Sequence, residues 1–167
     1  VSRPFTLRVF AARGPDGRLW VGTDDAGLWQ LRGEGPPEPA ADRGGPPVNA
    51  IWALHAAADQ LWAGTFAHGL YRIDPASGGK RAFTEHDGLA NNVIYQILPD
   101  ASGRLWLSTN NGLSVFDPDT GLFQNLGQRD GLLSQEFNSS AGWRTPDGRR
   151  LWFGGTRGVD AVSYTHL

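Results

Sequence analysis

Few residues in this chain of 167 have the types and spacing that catalysis or metal binding requires. Its four histidines, His55, His68, His86 and His166, stand at no ligand interval, and cysteine is absent. Neither glycine-rich phosphate-loop pattern occurs. The carboxylates fall chiefly in turns such as Asp16-Gly17, Asp147-Gly148 and Asp117-Pro118, where an aspartate accepts hydrogen bonds from its own backbone. No pair among them reads as a general acid and base. The expectation is therefore a chain without catalytic residues, metal or cofactor. A different set remains: Asp24, Asp25, Phe66, His68, Asn91, Asn92, Asn110, Asn111, Gln135, Glu136 and Arg157. These polar and aromatic groups could bind a ligand if a rigid scaffold brings them to one rim.

The scaffold is visible in a dipeptide that returns four times, as Leu19-Trp20, Leu61-Trp62, Leu105-Trp106 and Leu151-Trp152. The tryptophans follow one another at 42, 44 and 46 residues. Each copy carries its neighbours in register. A turn precedes it, a small residue follows at Gly22, Gly64, Ser108 and Gly154, and three copies then have Thr23, Thr65 or Thr109. Further on comes glycine before an aliphatic, at Gly27-Leu28, Gly69-Leu70, Gly112-Leu113 and Gly158-Val159. A period in the low forties fits a propeller blade or a helical pair. No stretch keeps apolar residues at helical spacing for three turns, and glycine or proline recurs every eight to twelve residues, so short antiparallel strands are expected.

The second copy predicts strands over 48–55, 60–65, 70–74 and 80–84, and the third over 93–98, 104–109, 113–117 and 122–126. In the fourth, 140–145, 150–154 and 159–162 are expected, with no outer strand. In the first, 5–11, 19–23 and 28–31 read as strands, and the Gly- and Pro-rich residues 33–47 as loop. Four strands per repeat make a blade. The fold class is all-β: a β-propeller fragment of about four blades, a partial arc of a seven-bladed ring, with Trp20, Trp62, Trp106 and Trp152 in the repeat core. One propeller unit spans 1–162, its blades at about 5–47, 48–90, 91–134 and 135–162, and 163–167 is a tail outside the repeat that reads as not native. An aromatic also precedes each of these tryptophans by about ten residues, at Phe10, Trp52, Tyr95 and Trp143, and is expected to pack across strands or between blades.

Within a blade the loops joining second to third strands share a face with the crossings between blades. The varied set above falls on those two classes of segment, and the stereotyped aspartate turns fall on the opposite face. The net charge of −2 gives no basic surface for nucleic acid. No apolar run is long enough for a spanning helix, and a chain opening at Val1 without methionine reads as an excerpt of a longer protein.

Leu-Trp-x-Gly-Thr, then Gly-Leu, then Asp-Pro-x-Thr-Gly (Asp117 to Gly121), then Asp-Gly-Leu (Asp87 to Leu89 and Asp130 to Leu132) resembles the two-component regulator propeller repeat. The resemblance covers residues 5 to 162. The run Asp130 to Asn138, with Phe153-Gly154-Gly155, is similar to the last blade before the β-sandwich module, Y_Y_Y, of that family. The resemblance implies a periplasmic sensor propeller anchored to the inner membrane through other parts of its receptor. It would read a small molecule or oligosaccharide, signal to a histidine kinase or diguanylate cyclase, and have as partners the remaining blades, the β-sandwich module and a second receptor copy. Two other classes stay open: a module of a propeller enzyme such as a polysaccharide lyase, and a protein-interaction scaffold.

Overall fold

Alternation of apolar and polar residues over short runs, cut by Asp-Gly and Asp-Pro turns, builds the molecule from hairpins. The computed structural model describes residues 8–40 and 48–163. The first blade pairs β1 (Val9–Arg13), β2 (Leu19–Thr23), β3 (Leu28–Leu31) and β4 (Glu38–Pro39) in that order. The second pairs β5 (Ile51–Ala56), β6 (Leu61–Thr65), β7 (Leu70–Ile73) and β8 (Lys80–Phe83), and the third β9 (Ile94–Pro99), β10 (Leu105–Thr109), β11 (Gly112–Asp117) and β12 (Leu122–Leu126). Among the described residues the fourth has three strands, β13 (Phe137–Arg144), β14 (Arg150–Gly155) and β15 (Gly158–Ser163). Every pairing is antiparallel, and the sheets form a four-blade propeller arrangement in which successive blades pack face to face. Among the described residues no helix is long and apolar enough to cross a membrane.

Most of the expected strands are present within one or two residues of their bounds. Two expectations are corrected. The loop at 33–47 contains the two-residue strand β4, whose Glu38 and Pro39 pair with Gln30 and Trp29; a proline on an edge strand sends no donor outward. The first strand lies at Val9–Arg13 rather than 5–11, and residues 5–7 fall outside the described residues, as do 41–47 and all of the tail but Ser163.

The Leu-Trp dipeptide orders the stack. Adjacent residues of a strand point to opposite faces, so each Trp looks toward the following blade and each Leu toward the preceding one. Trp20 packs with Leu61 and Ile73, Trp62 with Leu105 and Phe116, and Trp106 with Leu151 and Phe153. The small residue two beyond the Trp belongs to the same contact: a Cβ at Gly64 would strike the Ile94 side chain of the next blade. Leu19 and Trp152 are only half-buried, because they occupy the two terminal faces of the stack. Trp152 is thus not core in the sense expected of it.

Turn chemistry closes the blades. Thr23, Thr65 and Thr109 each donate from Oγ1 to the carbonyl oxygen of the following Gly27, Gly69 or Gly112, at 3.0, 2.9 and 2.8 Å. Gly69 has φ +77°, and a Cβ there would run into the carbonyl oxygen of Phe83. On the opposite face Asp117 accepts from the amides of Asp119 and Thr120, and these bonds hold its carboxyl below the usual range.

Candidate ligand-binding rim

Hydrogen bonds tie the β2–β3 type of loop to the crossings, as the connectivity requires. The amide of Ala50 donates to Asp24 O at 2.9 Å, Phe66 to Ala50 O at 2.9 Å, Gly69 to Asn92 O at 3.0 Å, Gly112 to Gln135 O at 2.6 Å and Thr156 to Glu136 O at 3.0 Å. All eleven candidate residues therefore lie on one face, but with different occupations.

Four of them surround an aromatic group. Trp52 stacks obliquely on Phe66, centroids 4.5 Å apart, and on Tyr95 of the next blade at 5.8 Å. Phe66 is 46% exposed, and Trp52 and Tyr95 are half-buried. The indole Nε1 of Trp52 donates to Asp24 Oδ1 at 2.5 Å, and the hydroxyl of Tyr95 donates to Asn110 Oδ1 at 3.2 Å. Burial, and then the negative charge of Glu136, push the Tyr95 phenol above its ordinary value. The guanidinium of Arg8 lies 4.8 Å above the Trp52 ring.

The ladder explains why these rings point out. Ile51 pairs with Thr65 and Ala53 with Gly64, which leaves Trp52 as an extra residue; Ile94 pairs with Thr109 and Gln96 with Ser108, which leaves Tyr95 in the same position one blade on. Such bulges re-aim a side chain away from the ladder. The fourth blade has a larger irregularity there, between Phe137 and Gly142, with Ser140 at φ +57°. Trp52 and Tyr95 were expected as packing partners of the Leu-Trp tryptophans. Instead, His55 and Leu98 sit opposite Trp62 and Trp106, and the two aromatics turn to the rim. Trp143 does lie opposite Trp152 but is 57% exposed, and Phe10 lies opposite Gly22. Sequence reasoning missed Trp52 and Tyr95 as rim residues; their offset of one residue from the Ile51 and Ile94 core positions was the available signal.

Four other candidates hold the scaffold. Asn92 accepts on Oδ1 from the Glu85 amide, Glu85 Oε1 accepts from the Asn92 amide, and Asn91 Oδ1 accepts from Val93. Gln135 Nε2 donates to Asn111 Oδ1 at 2.6 Å, and Asn111 Nδ2 donates to Ala90 O. Asp25, His68 and Arg157 are exposed at loop tips, Asp25 bordering a separate hollow of about 380 Å³ with Pro39 and Asn49. One buried acid outside the turns has the same scaffolding role. Asp160 accepts from the amides of Leu133 and Ser134, as Ser114 Oγ accepts from Ala90 one blade earlier. Among the described residues no group of three His, Cys, Asp or Glu is placed to hold a metal.

The arrangement can stack an apolar or planar ligand face on three rings and meet its polar edge with carboxylate and amide groups. Residues 88–111, which run from the Asp-Gly-Leu link through Leu105-Trp106 to Asn111, match the family model described as two component regulator propeller. Over that stretch the chain is similar to a two-component regulator propeller repeat. A stretch of 75 residues is 35% identical to histidine kinase P4 of Formosa agariphila, covering 45% of this chain and 5% of that protein. Among solved structures, the extracellular domain described as that of a one-component system of B. thetaiotaomicron superposes with a TM-score of 0.75 at 21% identity, over 96% of this chain and 25% of that one. A gluconolactonase of Xanthomonas campestris superposes with a TM-score of 0.64 at 16% identity, over 98% and 60%. At such identities the likeness is one of fold, shared by a receptor domain and an enzyme. The chain spans about a twentieth of the curated relative and a quarter of the first of these structures.

Proposed function

We propose that this chain is the ligand-reading part of an extracytoplasmic, periplasmic sensor whose receptor signals through a histidine kinase or a diguanylate cyclase. Its rim binds a small molecule such as an oligosaccharide and does not transform it. The observation that carries this reading is the aromatic group Trp52, Phe66 and Tyr95, two of whose members are turned out of the ladder by matched bulges. Aromatic faces receive the C–H faces of sugar rings, while Asp24, Asn110 and Glu136 supply acceptors for hydroxyl groups at the edge. The regulator propeller repeat and the likeness to a histidine kinase over part of the chain support the signalling role. Further blades, a β-sandwich module and a second receptor copy are the partners this role calls for.

Titration of the protein with a panel of neutral oligosaccharides, followed by calorimetry and tryptophan fluorescence, tests the reading. At least one should bind saturably and remain chemically intact. Removing one stacking ring, as in Trp52→Ala or Tyr95→Ala, should weaken it by about 1–2 kcal/mol, roughly five- to thirtyfold, on the scale of aromatic and cation-π contacts. Undiminished binding in both variants would sink the proposal, and so would turnover of the bound sugar.

A further inference from the structure

The aromatic group on the rim already holds a cation. The guanidinium of Arg8, the residue before β1, lies 4.8 Å from the centre of the Trp52 ring, and that ring neighbours Phe66 and Tyr95. Two carboxylates flank the rings. Asp24 accepts from the Trp52 indole, and a donor bonded to an anion is polarised by it, which makes the face of its ring more negative. Glu136 stands close enough to Tyr95 for its charge to act on the phenol. Among the described residues Arg8, Asp24 and Glu136 form no ion pair. Ring faces beside unpaired carboxylates favour a positive charge over a neutral or negative one. Arg8 is exposed, and the ladder of the first blade starts after it, at Val9 with Thr23. Its guanidinium can therefore leave Trp52 without the loss of a strand bond.

We propose that the ligand of this rim carries an organic cation, a protonated amine or guanidinium group, that takes the place of Arg8 on Trp52 beside Asp24 and Glu136, an assignment that rests on the rim reading above and adds the ligand's charge to it. Arg8 is then an internal competitor that the ligand displaces. A sugar with an amino group beside its C–H face meets both the rings and the carboxylates.

The test is calorimetry and NMR of the full chain at about pH 6 and low ionic strength with three probes. These are a glucosamine trisaccharide, its N-acetylated counterpart, which keeps the rings and loses the charge, and methylguanidinium, a cation without a sugar. The amino form should bind about five- to twentyfold more tightly than the acetylated one, on the scale of a cation-π contact plus an exposed ion pair. Its largest shift should fall on the Trp52 indole N–H. Asp24→Asn and Glu136→Gln should each narrow that preference, and so should added salt. Arg8→Gln removes the competitor and should tighten the amino sugar about two- to fivefold; weaker binding of both sugars in that variant would make Arg8 a support of the site and overturn the exchange. Methylguanidinium bound as tightly as the amino sugar assigns the site to a small basic molecule, and weaker binding assigns it to an amino sugar. Equal affinity for the charged and acetylated sugars would overturn the cation and leave the rim reading standing. Silence at Trp52 from all three probes would overturn it as well, and the neutral panel above then decides the rim reading by itself.

Discussion

Asp100 gathers five donors on one buried carboxylate: the amides of Ser102 and Arg104, the Ser102 hydroxyl, Arg104 Nε at 2.8 Å and Trp106 Nε1 at 3.1 Å. Burial pushes its pKa up, but the bonds from Ser102, Trp106 and Arg104 outweigh burial and leave it below 3.8. A carboxylate so lowered stabilises the fold fully above its unfolded value, and that contribution is lost as the pH falls through the folded value. Asp100→Asn should therefore cost about 1–3 kcal/mol at pH 7, with the gap to the parent chain narrowing below pH 3.8. Urea denaturation at pH 7 and pH 3 reads this directly, and an equal gap at both would assign the cost to packing instead. The turn role of such an acid is legible in Asp100-x-Ser102-Gly103-Arg104, because the side chain reaches only its own neighbours. Its reach to the Trp106 indole is not, since it depends on how the hairpin twists. His55 illustrates the same limit. It reads as an isolated histidine, yet burial and then the Arg144 charge lower its pKa.

Within the blades, glycines of like conformation differ in what surrounds them, and this gives a paired test. Gly69 and Gly103 both have positive φ, +77° and +86°, but only Gly69 has a carbonyl oxygen, that of Phe83, where a Cβ would go; Gly103 meets open space. Gly103→Ala should cost about 1 kcal/mol for backbone strain alone, and Gly69→Ala about 1–3 kcal/mol or more, since β8 must shift as well. Comparable denaturation midpoints for the two variants would mean that the loop moves freely away from β8. Blade count, strand order and the shared face of loops and crossings follow from repeated glycines and threonines whose side chains act within a few residues, and so the sequence displays them. The bulges at Trp52 and Tyr95 do not show in residue type. They arise from one extra residue in β5 and in β9 against the neighbouring β6 and β10, a matter of pairing register, and they decide which aromatics reach the rim. The two-residue β4 was hidden for another reason: its Pro39 and flanking glycines carry loop composition, and only pairing to Trp29 and Gln30 makes it a strand.

Across the stack, Leu and Trp in each dipeptide face opposite ways, and each internal contact joins a Trp to the Leu of the following copy. The repeat alone shows that the four dipeptides are equivalent, but equivalence of sequence is not equivalence of surroundings. Trp106 is fully buried against Leu151 and Phe153, while Trp152 lies half-buried on a terminal face beside the exposed Trp143. Truncation should separate them. Trp106→Ala removes a ring from a filled contact and should cost about 3–5 kcal/mol, lost transfer energy plus a cavity. Trp152→Ala, which already meets solvent, should cost no more than about 1–2 kcal/mol. The other terminal face gives an independent version of the same contrast: Leu105→Ala should cost about 2–5 kcal/mol and Leu19→Ala clearly less. Equilibrium denaturation of the four variants at several protein concentrations checks both pairs. Equal costs for Trp106 and Trp152 would show that the terminal face is covered in solution. Dependence of the Trp152→Ala cost on concentration would then name a second copy as what covers it.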